Sequence, residues 1–294
     1  MLKDTLLLLV LLPFLCAIAA PEPPYQNFEH DGMTRQYLYY APENLPENAP
    51  LVIVMHGFTS NAMASWQGSG MNAVADEHGF AVCYPQGSTD AKGNTFWNVG
   101  YDFHQGVTVD DVGFLTSLVK YLQQEHHLSP ENTFATGHSN GGEMCYLLAC
   151  EASDVFRAVA PVSGMMLKKI FDTCSPARPI PLFEIHGTAD GINRYGGDIT
   201  GADGWGAYPD IPYTIDYWVK QDQCTVTQID TLPDIVSSDS SFVISEKHLN
   251  GLNGCQVWLY KIINGGHEWP GESGNQDINT AREIWSFFAQ FITE

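Results

Sequence analysis

Three residue types that together can break an acyl bond stand on glycine-rich stretches of this sequence. They are a serine in Gly137-His138-Ser139-Asn140-Gly141, an aspartate closing His186-Gly187-Thr188-Ala189-Asp190, and a histidine in Gly265-Gly266-His267-Glu268-Trp269. A serine hydroxyl is a weak nucleophile at its own pKa and needs a base within hydrogen-bond reach. His267 is the candidate base, and Asp190 the carboxylate that would hold its tautomer and stabilise the imidazolium. Charge developing on a carbonyl oxygen needs fixed donors. The backbone N–H of Asn140, just after the serine, is one candidate; the other is that of Phe58 in His56-Gly57-Phe58-Thr59, with Thr59 as its substitute. The rivals are weaker on position. His186 and His248 do not lie in a glycine-rich late loop, Asp198, Asp203 and Asp210 do not directly follow a strand, and Glu268 is a chain neighbour of His267, and neighbouring side chains rarely aim at each other. His56 is read as structural, bonding its own loop, and His138 as either shaping the serine turn or touching substrate. No His/Cys spacing suggests a metal and no lysine-bearing glycine loop suggests a phosphate, so neither metal nor cofactor is expected.

These residues must be carried by strand ends. Phe134–Thr136 is an apolar run that meets Gly137, and a helical pattern follows at once to Cys150. Strand, tight turn and helix in that order present a serine rather than pack it, and small flanking residues allow the close approach. Leu51–Met55, Phe80–Tyr84, Arg157–Ser163, Pro181–His186 and Gln256–Ile263 read as further strands, the first bounded and apolar enough to be buried on both faces. Helical patterns at Ala64–Glu77, from Asp110-Asp111 onward, at Tyr213–Gln221 and at Ile278–Ile292 alternate with them. The two aspartates read as caps of their helix. Thr34–Tyr40 reads as an edge strand, Phe242–Ser245 as a short one, and the Pro-rich start from Ala20 to Asp31 as irregular. The alternation predicts an α/β fold with a mostly parallel central sheet flanked by helices on both faces. In such sheets sites form outside the carboxyl ends of the strands, where all the marked segments fall. Two long loops, Ser88–Val107 and Gly187–Pro212, carry Trp97, Tyr101, Trp205 and Tyr208. Loops of that length are usually functional.

The 294 residues are 44% hydrophobic and only 16% charged, the balance of a globular protein. Residues 1–19 read as a cleaved signal peptide: Lys3, an apolar run from Leu6 to Leu15, and Ala17-Ile18-Ala19 at the cut. With no repeat and no composition break, residues 20–294 are expected to form a single catalytic domain. Removing the leader removes Cys16 and leaves an even set, Cys83, Cys145, Cys150, Cys174, Cys224 and Cys255, in an oxidising compartment, extracellular or periplasmic. Cys150 with Cys174 and Cys224 with Cys255 are the preferred pairs, each member lying near the end of an element. Cys83 and Cys145 are as consistent with buried thiols as with a third bridge. A net charge of −21 disfavours nucleic acid and anionic membrane surfaces as partners.

The blocks LVIVMHGFTS, FAVCYPQG, VDDVGFL, FATGHSNGGEMCYLLAC, FRAVAPVSG, PLFEIHGTAD and GGHEWPG together resemble the secreted polyhydroxybutyrate depolymerase and feruloyl esterase family of α/β hydrolases, from about Met33 onward. The order Ser139, Asp190, His267 is also the order such triads take in that fold. The resemblance implies hydrolysis of carboxylic esters by these three residues without a cofactor, and it supports the two preferred disulfides. Feruloyl or acetyl groups on plant polysaccharide fragments, or hydroxyalkanoate oligomers, are the expected substrates. The chain ends just after its closing helix, without the separate substrate-binding domain of many polyester-degrading members, which makes solid polymer the second expectation. Trp97, Tyr101, Trp205, Tyr208 and Trp269 are candidate flat walls for a phenolic acid or sugar ring. A secreted peptidase would share the triad. A silent carbohydrate-binding relative of the fold would lack one of its members.

Overall fold

The computed structural model describes residues 22–293; the expected signal peptide lies outside them. Continuous apolar runs become the middle of a ten-stranded sheet. Strands β3 (Leu51–Met55), β4 (Ala81–Pro85), β7 (Thr133–His138), β8 (Ala158–Val162), β9 (Leu182–Gly187) and β12 (Val257–Ile263) run parallel in the order β4-β3-β7-β8-β9-β12. Antiparallel strands finish both edges, β2 (Met33–Tyr40) and β1 (Gln26–His30) beyond β4, and β11 (Phe242–Leu249) and β10 (Val226–Thr231) beyond β12. A small separate hairpin pairs β5 (Ser88–Thr89) with β6 (Thr95–Phe96) inside the first long loop.

Because side chains alternate along a strand, β3 feeds two cores. Leu51, Ile53 and Met55 join Phe114, Leu115 and Leu118 of α3 (Asp111–Glu125), Met144 and Leu148 of α4 (Asn140–Glu151), Ile170 of α5 (Lys168–Thr173) and Trp218 of α6 (Ile211–Gln221). Val52 and Val54 join the opposite core with Ala62 of α1 (Ala62–Gly68), Val74 of α2 (Met71–His78) and Trp285 of α7 (Thr280–Phe288). A sheet covered on both faces leaves only its strand ends open to solvent, and the loops after β3, β7, β9 and β12 meet at the carboxyl end.

Several elements differ from the sequence reading. The start of the chain is not irregular: Gln26–His30 forms β1, so β2 is second from the edge. The turn between them is Asp31-Gly32, both at positive φ (49° and 71°), a two-residue Asp-Gly hairpin whose signal was present in the sequence. The single helix expected over Ala64–Glu77 is two, α1 and α2, because Gly70 takes a left-handed φ of 71° between them. Strand β10 is exposed along its whole length, so it carries no apolar alternation to read. Of the two expected caps, Asp110 does accept from the Gly113 N–H (2.7 Å), whereas Asp111 is buried and accepts from Arg35 Nη2 (2.7 Å) and the Asn98 N–H (2.7 Å). That pair ties β2 to α3 and to the first long loop.

Cys150, on the last turn of α4, is bridged to Cys174 just after α5. The second expected bridge is not made. Cys224 and Cys255 reach the same corner, but the Cys224 thiol donates to the Cys255 carbonyl (3.9 Å) and the Cys255 thiol faces Asp222 Oδ2 (3.5 Å). Cys83 and Cys145 are buried free thiols. A bridge across 24 residues removes denatured-state freedom worth about 3 kcal/mol. Replacing Cys150 and Cys174 together by serine is therefore expected to lower the unfolding free energy by about 3 kcal/mol, read from urea denaturation as the product of midpoint and slope.

Candidate active site

Strand β7 and helix α4 meet at Ser139, which sits at φ 56° and ψ −119° as the residue immediately before the helix. A non-glycine residue there is strained by roughly 1–3 kcal/mol and persists only because its surroundings fix it. The Ser139 N–H donates to the Val162 carbonyl (2.9 Å) on β8. Gly137 makes the sharp turn possible, since a Cβ there would lie 2.6 Å from the Gly141 carbonyl carbon. Gly57 lets the loop after β3 come close, a Cβ at that position lying 3.4 Å from that of Ser139.

His267 lies in the loop after β12 and Asp190 in the turn after β9. The His267 Nδ1–H donates to Asp190 Oδ2 at 2.8 Å, and Nε2 has no hydrogen-bond partner among the described residues. Asp190 is buried, and its Oδ1 accepts from the N–H groups of Ile192 (2.8 Å) and Asn193 (2.9 Å). Its two oxygens thus accept from three donors in all. Ser139, His267 and His138 line one cleft of ≈ 280 Å³ together with Gly57, Phe58 and Trp269. The Thr59 N–H is taken by the Thr95 carbonyl (2.8 Å). Those of Phe58 and Asn140 have no acceptor among the described residues. The Asn140 side chain is committed elsewhere: Oδ1 accepts from the Trp97 N–H (2.7 Å) and Nδ2 donates to the Trp97 carbonyl (3.2 Å).

The rivals are held away from this cleft. His248 bonds Thr227 and Glu246 on the β10–β11 edge, and His186 is buried between Glu184 and the Asn193 carbonyl. Asp198 accepts from Thr200 and Asp203 within its own loop, Asp203 pairs with Arg194, and Asp210 caps α6. Glu268 accepts from the Asn275 N–H (3.0 Å). His56 is structural: Nδ1–H donates to the Gly57 carbonyl (2.8 Å) and Nε2 accepts from the Gly87 N–H (2.9 Å). The rings of His138 and His267 lie 4.8 Å apart.

The aromatic candidates divide. Trp97, Tyr101 and Tyr208 are fully or almost fully buried and offer no face to a ligand. Each is instead a tether: the Trp97 indole donates to the His56 carbonyl, the Tyr101 hydroxyl donates to Glu143, and the Tyr208 hydroxyl accepts from the Arg194 N–H. Trp269 lines the cleft and donates Nε1–H to the Ser69 carbonyl (3.2 Å), fixing that wall to the α1–α2 junction. Trp205 packs edge-on to Phe58 (5.6 Å, 83°), joined by half-exposed Phe103. The Phe58 and Phe103 side chains, Glu143 and Asn193 were not singled out from the sequence.

Residues 35–178 match the family described as esterase PHB depolymerase. A bifunctional acetylxylan esterase/xylanase of Neocallimastix patriciarum is 29% identical over 164 residues, covering 56% of this chain and 22% of that protein. Feruloyl esterase B of Piromyces equi is 28% identical over 253 residues, 83% of this chain and 42% of that one. The chain thus spans less than half the length of both. The acetyl xylan esterase of Aspergillus awamori superposes with a TM-score of 0.64 at 15% identity, covering 90% of this chain and 99% of that one, and shares its α/β-hydrolase fold.

Burial pulls His56 down to about 4, opposed in part by its bond to the Gly57 carbonyl. Burial and the neighbouring His267 pull His138 down to about 3. An unfolded histidine takes its proton near pH 6.5, so below that pH the unfolded chain binds protons that the folded one refuses. Stability is therefore expected to fall as pH drops from about 6.5 to about 4, by about 3 kcal/mol for His56 alone. Urea midpoints across that range check this. His56→Asn, which does not titrate, should show a shallower fall, and an equal slope in the two proteins would refute the assignment.

Proposed function

We propose that this chain, whose residues 35–178 match the esterase PHB depolymerase family, hydrolyses carboxylic esters through an acyl-enzyme on Ser139. The observation that carries the reading is the 2.8 Å bond between His267 Nδ1 and Asp190, made at the rim of the cleft that Ser139 also lines. Ser139 Oγ attacks the ester carbonyl carbon and gives its proton to His267 Nε2, while Asp190 stabilises the imidazolium. The oxyanion accepts from the N–H groups of Phe58 and Asn140, each worth about 3–4 kcal/mol. Collapse of the intermediate expels the alcohol, which takes the proton from His267. Water activated by the same nitrogen then attacks the acyl carbon and releases the acid and free Ser139.

The small residues of the cleft, Gly57, Ala64, Ser65 and Gly68, leave a slot between Phe58 and Trp269. Such a slot suits a short acyl group or a flat phenolic one, which favours acetyl or feruloyl esters on plant polysaccharide fragments, with hydroxyalkanoate oligomers next. Relatives named for acetylxylan and feruloyl esters and for poly(3-hydroxyalkanoate) support these three ester classes without ranking them. The Cys150–Cys174 bridge supports an extracellular or periplasmic site of action. Among the described residues no helix is long and apolar enough to cross a membrane.

Ser139→Ala is expected to abolish hydrolysis of p-nitrophenyl acetate, and Asp190→Asn to lower turnover by several orders of magnitude with the fold intact. Turnover equal to wild type in Ser139→Ala would end the mechanism. Rates on methyl ferulate, acetylated xylan and a hydroxybutyrate oligomer rank the substrates, and a clear preference for the oligomer would overturn the placing of acetyl and feruloyl esters first.

A further inference from the structure

Behind the cleft lies a buried polar chain that the reaction does not itself require. Its centre is Asn193, 1% exposed. The Asn193 N–H donates to Asp190 Oδ1 (2.9 Å) and its carbonyl accepts from His186 Nε2 (2.7 Å). Its side-chain Nδ2 donates to the Ser163 carbonyl after β8 (2.7 Å) and to Glu143 Oε1 on α4 (3.0 Å). One residue thereby touches the acid turn, the end of β9, the end of β8 and the helix that begins at Ser139. Glu143 is fully buried and also accepts from the Tyr101 hydroxyl and from Asn140 Nδ2 (3.4 Å). Asn140 is also the residue whose backbone N–H, with no acceptor among the described residues, is a candidate oxyanion donor.

We propose that Asn193 and Glu143 are positioning residues for this active site: together they lock the acid turn carrying Asp190 to the nucleophile turn carrying Ser139. The inference rests on the reading of Asp190 and His267 as acid and base. The physical case is the count of partners. Glu143 sits one helical turn beyond Ser139, where an aliphatic residue would pack as well, and burying a carboxyl there costs free energy unless donors meet it. Burial does lift Glu143 to about 7, with Asp190 adding to the rise, while Tyr101, Asn140 and Asn193 oppose it. A carboxyl kept in such a place with three donors from three separate segments fixes their relative positions more tightly than apolar packing can, because each bond has a required direction. The charged and titratable groups facing Asp190 are His267, His186 at 3.6 Å and, further off, His138 and Glu143. Of these, His186 is itself occupied by Glu184 and by Asn193.

The test uses Asn193→Ala, Glu143→Gln and the double variant, each at a temperature where circular dichroism shows it folded. In both single variants kcat on p-nitrophenyl acetate is expected to fall roughly tenfold to hundredfold with KM little changed, as misplaced groups do. The acid limb of kcat/KM moves to lower pH, because the His267 imidazolium loses a fixed carboxylate. The double variant is expected to be no worse than the poorer single one, since both break one chain. If Asn193→Ala does not fold, Glu143→Gln carries the test alone, because it keeps the side-chain volume. Its second readout is the downfield proton resonance of the His267 Nδ1–H, expected to move upfield. A folded variant with wild-type kcat and an unshifted acid limb overturns the inference, as does a double variant whose losses multiply. Asp190→Asn run alongside separates the two readings. If it keeps full turnover the triad reading fails, whereas if it loses turnover while Asn193→Ala does not, only the positioning inference fails.

Discussion

The structure depends on supplying hydrogen-bond donors to one carboxylate, Asp190, that it removes from water. A buried carboxylate without donors would take up a proton and lose its use to a histidine. The chain meets it by folding the turn after β9 so that two consecutive backbone N–H groups, those of Ile192 and Asn193, converge on Oδ1 and leave Oδ2 for His267. The loop after β12 must then arrive beside that turn, which the parallel pairing of β9 with β12 ensures. Gly187 at the end of β9 allows the last close approach, since any Cβ there would run into the backbone of Gly265 and Gly266. The sheet order is in this sense the instrument that brings residues 77 positions apart into one hydrogen bond.

Much of this was legible because the signals were local. A parallel strand buried on both faces shows as an unbroken apolar run, and LVIVM is such a run; LFEIHG is buried throughout as well, although Glu184 and His186 interrupt it and meet each other at 2.7 Å. The nucleophile turn was legible because strand, glycines and helix follow one another without a gap. Asp190 and His267 were legible from their places after strands, which fix where a residue goes even when the sequence separation is large. What was not legible was partnership across loops. Trp97 and Tyr101 look in sequence like exposed aromatic walls, yet each carries one polar atom that finds a buried partner, and that partner decides their place. Cys224 and Cys255 were brought to one corner as expected, but a pairing also needs both thiols to face each other, and nothing in the spacing encodes side-chain direction. Strand β1 was missed although Asp31-Gly32 announces it, because composition near the prolines outweighed the turn signal.

Glu143 and Asn193 show the limit most clearly. Glu143 lies on a helix turn where a carboxylate is ordinary, near the positive end of the dipole, so its sequence context reads as favourable surface chemistry. In the fold the same position is fully buried. Asn193 sits in a glycine-rich loop, where asparagine is common for turn geometry alone. Neither residue type nor spacing distinguishes a turn-former from the node of a network.

Phe58 ties the chemistry to the unassigned loops. It lines the cleft with Ser139, and its backbone N–H has no acceptor among the described residues, while its ring is packed among Tyr101 and Phe103 of the first long loop and Trp205 of the second. The donor's direction is therefore set by an aromatic cluster whose outer members, Phe103 and Trp205, are partly exposed. A ligand that leans on those rings also presses on the residue proposed to hold the oxyanion. On the proposed mechanism, the loops beside the cleft and the backbone assigned to the oxyanion share one side chain, so a change of loop sequence that alters selectivity should seldom leave turnover untouched.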